Sequence, residues 1–252
     1  MCVLAFAWRM HRRWPLVMAG NRDELHARPA QPLHRWPEAP HVLAGRDLLS
    51  GGSWLGVSEQ GRFAVITNLR GFGLPDPGKL SRGGLVRDFL VGEPQAARDD
   101  AAFNPFSLIE ADASGAAFTA NRPASERRLL QPGLYGLSNG GLDEPWPKTT
   151  KLKAALADWL LRDEPDLEPL FSALRDETRP ADGELPATGI SLDRERLASA
   201  IFIRNPIYGT RCSTVVRIDE DGYGEIAERS FGPDGEAAGE AVFDFAWPPS
   251  SE

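Results

Sequence analysis

Short apolar runs separated by polar breaks recur along most of the chain. Val3-Leu4-Ala5-Phe6-Ala7-Trp8 and Pro15-Leu16-Val17-Met18-Ala19 predict two strands joined by a polar turn from Arg9 to Trp14. Further strands are expected at 42–44, 53–58, 62–67, 106–112, 116–120, 127–131, 134–138, 198–203, 214–219, 224–230 and 241–245. Asp221-Gly222, between two of these runs, is a strong hairpin turn signal. Leu152, Ala155, Leu156, Trp159 and Leu160 follow the i, i+3, i+4, i+7, i+8 spacing of a core-facing helix, which predicts a helix over 149–161. Two more helices are expected at 84–90 and 167–175, and the Pro/Asp/Gly-rich stretch 178–189 reads as a loop. There is no internal repeat and no boundary signal, so residues 1–252 read as a single α+β domain.

Two antiparallel strands bring the start of one beside the end of the other. The first hairpin therefore carries Cys2 towards Asn21-Arg22-Asp23. A cysteine behind the initiator methionine has a particular option. Once Met1 is removed, one residue carries both a free α-amine and a thiol. The amine titrates near ~7.7–8.0 and the thiol near ~8.5, so the amine can serve as the base for the sulfur. The alternative role for Cys2 is that of a small buried hydrophobe, the usual fate of a free cysteine.

Composition narrows the field. Hydrophobic residues at 42% and charged residues at 25% suit a soluble globular protein with a substantial core. A formal charge of −8 argues against a general nucleic-acid surface. No run approaches the ~20 apolar residues of a membrane helix, and Arg9 interrupts the first apolar run too early for a secretory signal. Cys2 and Cys212 are the only cysteines, too few for a disulfide framework or a thiolate metal site, although one bridge between them stays open. A cytoplasmic, reducing location is the expectation. Oligomeric state is not legible.

Several motifs look like chemistry and fail on inspection. Gly136-Leu137-Ser138-Asn139-Gly140 matches a G-x-S-x-G nucleophile elbow, but the last histidine is His41, so no histidine follows the serine. Gly73 to Leu80 resembles a phosphate loop without its Ser/Thr, and Pro75 and Pro77 remove needed N–H groups. The four histidines lack metal-ligand spacing, and no metal is expected. Three polar residues remain near strand ends: Asn68, Asn139 and Arg211. An asparagine amide can donate to a developing oxyanion, and it can equally hold a turn.

Eight blocks lie in order along almost the whole chain. They are Met1-Cys2, Asn21-Arg22-Asp23-Glu24, Gly51-Gly52-Ser53-Trp54-Leu55-Gly56, Thr67-Asn68, Ser81-Arg82-Gly83, Tyr135-Gly136-Leu137-Ser138-Asn139, Pro145-Trp146-Pro147-Lys148 and Tyr208-Gly209-Thr210-Arg211. With these the chain is identified as a member of the NRDE family, the Transport and Golgi organisation 2-like proteins. That family is similar to cysteine-type N-terminal nucleophile hydrolases of the bile-salt hydrolase and penicillin V acylase group. The resemblance implies a four-layer αββα sandwich of two antiparallel sheets, with the nucleophile heading the first strand. It implies an amidohydrolase acting on a non-peptide C–N bond of a small or acylated substrate, with no cofactor required. Cys2 would attack the carbonyl while its amine carries the proton, Asp23 would hold amine or thiol, and Arg22 would favour the thiolate. Asn68 or Asn139 would form the oxyanion hole, and Arg211 would complete the polar rim. The acylase group reads Gly-Arg-Asn-x-Asp where this chain reads Gly20-Asn21-Arg22-Asp23, one residue shorter and with arginine and asparagine reversed.

The eukaryotic members are linked to haem trafficking and to lipid or acyl-CoA metabolism, which implies an alternative: the same pocket binds such a ligand without cleaving it. The chain has no C-x-x-C-H attachment motif, so a labile haem would rely on an exposed donor such as Cys2.

Overall fold

A computed structural model describes residues 2–93, 99–163 and 165–248. Met1, on whose removal an N-terminal nucleophile depends, lies outside them. The first sheet has six strands, in the order β10 (Gly133–Leu137), β1 (Cys2–Trp8), β2 (Leu16–Leu25), β11 (Tyr208–Ile218), β12 (Tyr223–Phe231) and β13 (Ala237–Ala246). The second has seven strands, in the order β3 (Ala30–Trp36), β4 (Ala39–Asp47), β5 (Leu55–Ser58), β6 (Arg62–Asn68), β7 (Phe106–Asp112), β8 (Gly115–Ala120) and β9 (Glu126–Leu130). Every named pairing is antiparallel.

Alternation along β1 explains the layering. Leu4, Phe6 and Trp8 point into the core between the sheets, where they meet Phe63, Val65 and Ile109. Val3, Ala5 and Ala7 point the other way, against Leu152, Leu156 and Trp159 of α2 (Pro147–Arg162) and Leu170 and Phe171 of α3 (Glu168–Leu174). With both faces covered, all of β1 is buried, and its sequence is an unbroken apolar run. On the far side, Leu85, Val86 and Leu90 of α1 (Arg82–Val91) pack on Ala64, Ile66 and Leu108 of the second sheet. The layers are thus helix, sheet, sheet, helix: an α+β sandwich in the αββα order.

Three expectations need correction. Residues 198–203 form no strand. They follow α4 (Leu192–Leu197), itself unforeseen, as a buried irregular segment. Its polar backbone is satisfied by tertiary partners instead of a ladder: Lys148 Nζ donates to Ala198 O at 2.9 Å, Asn21 Nδ2 to Ile201 O at 2.9 Å, and Ile203 N to Thr210 Oγ1 at 2.9 Å. An apolar run alone cannot distinguish the two cases. Strand β3 went unpredicted because Pro32 and its polar neighbours suit only an edge position, which it occupies. Strand β11 begins at Tyr208 and not at 214, so Arg211 lies inside it.

Candidate active site

Cys2 heads β1 directly opposite Arg22 of β2. Arg22 in turn faces Cys212 of β11, and Cys212 faces Ser230 of β12. Opposed residues share a sheet face, so this cross-strand row forms part of the wall of one cavity of about 700 Å³. Trp54, Ile66 and Asn68 contribute to it from the second sheet and the approach to β5. Cys2 and Cys212 are both free thiols. A whole strand separates them, about 9–10 Å at ~4.8 Å per strand, beyond the ~7 Å limit for a bridge, so the disulfide left open by the sequence is ruled out.

Burial pushes the Cys2 thiol up, and the Asp23 carboxylate adds to this. The charge of Arg22 and the backbone of Asp23 act in the opposite direction. The Arg22 side chain is only 12% exposed, and its carboxylates are distant, Asp47 at 3.7 Å and Glu24 at 4.0 Å.

The strand alternation that puts Arg22 on the cavity side sends the side chains of Asn21 and Asp23 to the helix side. Asn21 is structural there. Its amide donates to Leu174 O at 2.8 Å and Ile201 O at 2.9 Å, and its carbonyl accepts from Ser213 Oγ at 2.6 Å. Asp23 is buried, its Oδ1 accepts from Thr210 Oγ1 at 2.7 Å, and Tyr208 donates to its backbone carbonyl at 2.8 Å. Burial raises the Asp23 pKa, opposed first by the charge of Lys148. Lys148 is itself buried, and desolvation lowers its pKa to about 8 against the counter-pull of Asp23. Sequence reasoning gave this lysine no role. It stands in the Pro145-Trp146-Pro147-Lys148 block, but a lysine in the first turn of a helix ordinarily faces water.

Asn68, ending β6, lines the cavity. Asn139 is not among the residues lining it. Its Nδ2 donates to Asn68 O at 2.8 Å and its backbone carbonyl accepts from Arg70 N at 2.8 Å, so it ties the two sheets together behind Asn68. Ser138, the decoy serine, donates to Cys2 O at 2.7 Å and fixes the start of β1. Arg211 is the extra residue of a bulge, since Thr210 pairs with Asp23 while Cys212 pairs with Arg22. The bulge aims Arg211 at the turn after β2, where Nη1 donates to Leu25 O at 2.9 Å, His26 O at 3.3 Å and Arg28 O at 3.0 Å. The structure thus brings Cys2, Arg22, Asn68 and Arg211 to one cavity, where Asp23 borders it while its carboxylate turns to the helix side, and leaves Asn139 as support.

Two sequence blocks meet at the cavity wall. Ser53 N donates to Gly83 O at 3.2 Å, and a Cβ on Gly52 would fall 2.3 Å from Gly83 C. Only glycine permits this approach, which seats the first turn of α1 at the cavity. Among the described residues no His/Cys/Asp/Glu group could hold a metal ion, and no helix is long and apolar enough to cross a membrane.

A cysteine heading the first strand of an αββα sandwich and facing the inter-sheet cavity is the arrangement of the N-terminal nucleophile hydrolase fold. Two solved structures share the sandwich fold. The Caenorhabditis elegans N-acylethanolamine-hydrolyzing acid amidase ortholog aligns with TM-score 0.50 at 14% identity, over 85% of this chain and 92% of that one. A mutant conjugated bile acid hydrolase from Clostridium perfringens aligns with TM-score 0.51 at 9% identity, over 97% and 92%. The profile of the family Transport and Golgi organisation 2 matches residues 1–233, and the chain belongs to that family. The Transport and Golgi organization protein 2 homologs of Bos taurus and Homo sapiens are 33% and 30% identical to it, each over 91% of this chain and 93% of their own length.

Proposed function

We propose that the chain is an amidohydrolase whose nucleophile is Cys2 after removal of Met1. The observation that carries this is the placement of the Cys2 thiol: at the head of β1, facing the cavity, opposite Arg22. Burial keeps the resting group a thiol, so it needs a base at the moment of attack, and the freed α-amine on the same residue is that base. The sulfur adds to the amide carbonyl while its proton passes to the amine. The developing oxyanion is met by the Asn68 amide and by backbone N–H groups at the cavity wall. Collapse expels the leaving amine, which takes the proton, and leaves a thioester on Cys2. Water then attacks the thioester, with the amine again as base, and releases the acid. The names of the two structural neighbours, an acylethanolamine amidase and a conjugated bile acid hydrolase, support a non-peptide acyl amide as the substrate class.

A haem-carrying role draws less support from the cavity. Among the described residues no histidine lines it, and burial holds both of its thiols, Cys2 and Cys212, in the protonated form that ligates iron poorly.

The test is intact mass of the purified protein followed by turnover of a panel of N-acyl amides. The expected result is a mature chain beginning at Cys2, an acyl adduct on Cys2, and loss of turnover in both Cys2→Ser and Cys2→Ala. A fully active preparation that retains Met1 would overturn the mechanism.

A further inference from the structure

We infer that the cavity is built for a ligand carrying an anionic group near Cys2, and that Arg82 and Arg211 hold that group. This deepens the amidase reading by giving the substrate a charge, and the anion site itself does not require that the bond be cleaved.

Five arginines line the cavity: Arg46 is paired with Glu38, and the other four guanidinium groups are those of Arg22, Arg28, Arg82 and Arg211. Among the described residues, two carboxylates come within 4.0 Å of them. Asp47 lies 2.6 Å from Arg28 and 3.7 Å from Arg22, and Glu24 lies 4.0 Å from Arg22. Neither Arg82 nor Arg211 has a carboxylate within that distance among the described residues. Each is tethered by backbone carbonyls instead. Arg82 Nη1 donates to Pro105 O at 3.0 Å, and Arg211 Nη1 to the three carbonyls of the turn after β2. A carbonyl fixes a guanidinium in place without cancelling its charge.

The other charged side chains on the cavity wall leave this surplus standing. Glu228 accepts Leu33 N at 2.8 Å and Thr214 Oγ1 at 3.3 Å, and burial favours its neutral form. Asp76 accepts Gly78 N at 2.8 Å, and the Asp23 carboxylate lies on the helix side with Thr210 and the charge of Lys148. Arg46 is paired with Glu38, and Lys79 Nζ donates to Ala101 O at 2.5 Å.

An arginine cannot shed its charge by deprotonating, so a partly buried guanidinium without an acid is a standing cost unless a ligand supplies the anion. Five N–H donors in a planar fork match a carboxylate, phosphate or sulfonate. Arg82 comes from the helix layer over the second sheet and Arg211 from a bulge in the first, so the two line the cavity from different layers. Cys2, when ionised, and the more distant Glu24 carboxylate both bear on the Arg82 charge, and Glu24 bears on Arg211 as well, but neither carboxylate contact is as close as 4.0 Å. Trp54, Ile66, Leu80 and Phe231 supply apolar wall for the remainder of the ligand. The substrate class is an amphiphilic anion.

The experiment compares alkylation of Cys2 by iodoacetate and iodoacetamide, read by peptide mass so that Cys212 is counted separately. In the wild type the ratio of iodoacetate to iodoacetamide rates should exceed that of free cysteine by about tenfold. It should fall to the free-thiol value in Arg82→Met and recover in Arg82→Lys. Inorganic phosphate and short carboxylates, added separately at constant ionic strength, should each slow iodoacetate in the wild type, and the stronger competitor identifies the anion. A second readout needs no reactivity at Cys2: phosphate or carboxylate should raise the wild-type Tm to saturation and leave Arg82→Met unmoved. A free-thiol ratio in the wild type, or a ratio and a Tm response that survive Arg82→Met, would overturn the proposal. If amide turnover is absent while the ratio and the Tm response hold, the anion site stands and the hydrolase reading falls.

Discussion

Cys2 and Arg22 are cross-strand partners, placed side by side on one face of the first sheet by the register of β1 on β2. The Arg22 charge therefore bears on the sulfur from within the sheet, where its position does not depend on a mobile loop. Replacing Arg22 by Leu should move the midpoint of Cys2 alkylation up by about 1 pH unit, the lower end of the effect of a near opposite charge. The pH profile of iodoacetamide labelling measures this. An unchanged midpoint would show that Arg22 serves the ligand and not the thiol.

Lys148 makes stability depend on pH in the alkaline range. Its folded pKa is about 8 against an ordinary 10.5, so between those values the unfolded chain binds more protons and stability rises with pH. Below about pH 8 the ammonium is charged in both states and its burial penalty is fully present; above about 10.5 the penalty is gone. The expected gain across this window is about 3 kcal/mol, because a tenfold change in proton affinity is worth about 1.36 kcal/mol. Denaturant unfolding at pH 7.5 and 10 should show the difference between wild type and Lys148→Met changing by most of this amount. A difference that stays flat would mean that Lys148 is not the buried cation described.

Arg70 and Glu195 form a buried ion pair at 2.5 Å, with side chains 9% and 5% exposed. Glu195 also accepts from Thr188, which docks the segment ahead of α4. Glu195→Gln removes the negative member of this buried pair and should cost about 3 kcal/mol, read as a lower denaturation midpoint. Cleavage of residues 178–191 by a dilute protease should accelerate in the same variant. A wild-type midpoint would show that the pair carries no net stability.

Gly52→Ala should be among the most damaging loop substitutions. The new methyl would strike the backbone of Gly83 at 2.3 Å, so α1 has to move. A loss of about 1–3 kcal/mol is expected from overpacking of this kind. Because Arg82 opens α1, the iodoacetate preference of Cys2 should fall as well. Intact preference with lowered stability would place the damage in the loop alone.

Much of the fold was readable in the chain. The first hairpin, most of the other strands, α1, α2 and α3 follow from apolar periodicity and turn residues, because each reports a local burial pattern. Residues 198–203 defeated that reading because their backbone is satisfied by Lys148, Asn21 and Thr210, which the tertiary fold brings in. Ser138 has no histidine after it in the chain, and its hydroxyl donates to the Cys2 carbonyl, a contact that no local pattern announces.

The sequence by itself determined that Cys2 would lie near Asn21-Arg22-Asp23, since hairpin pairing follows from strand length and turn position, while the register made Arg22 its partner. It also determined the family, because the order of short blocks survives without their geometry. Tertiary structure alone decided which side of the sheet each group serves. Asp23 belongs with Lys148 under the helices, Arg211 is turned by a bulge, and Asn139 is a strut and not a cavity residue. Those outcomes depend on burial and on partners distant in the chain, and a linear pattern holds no measure of either.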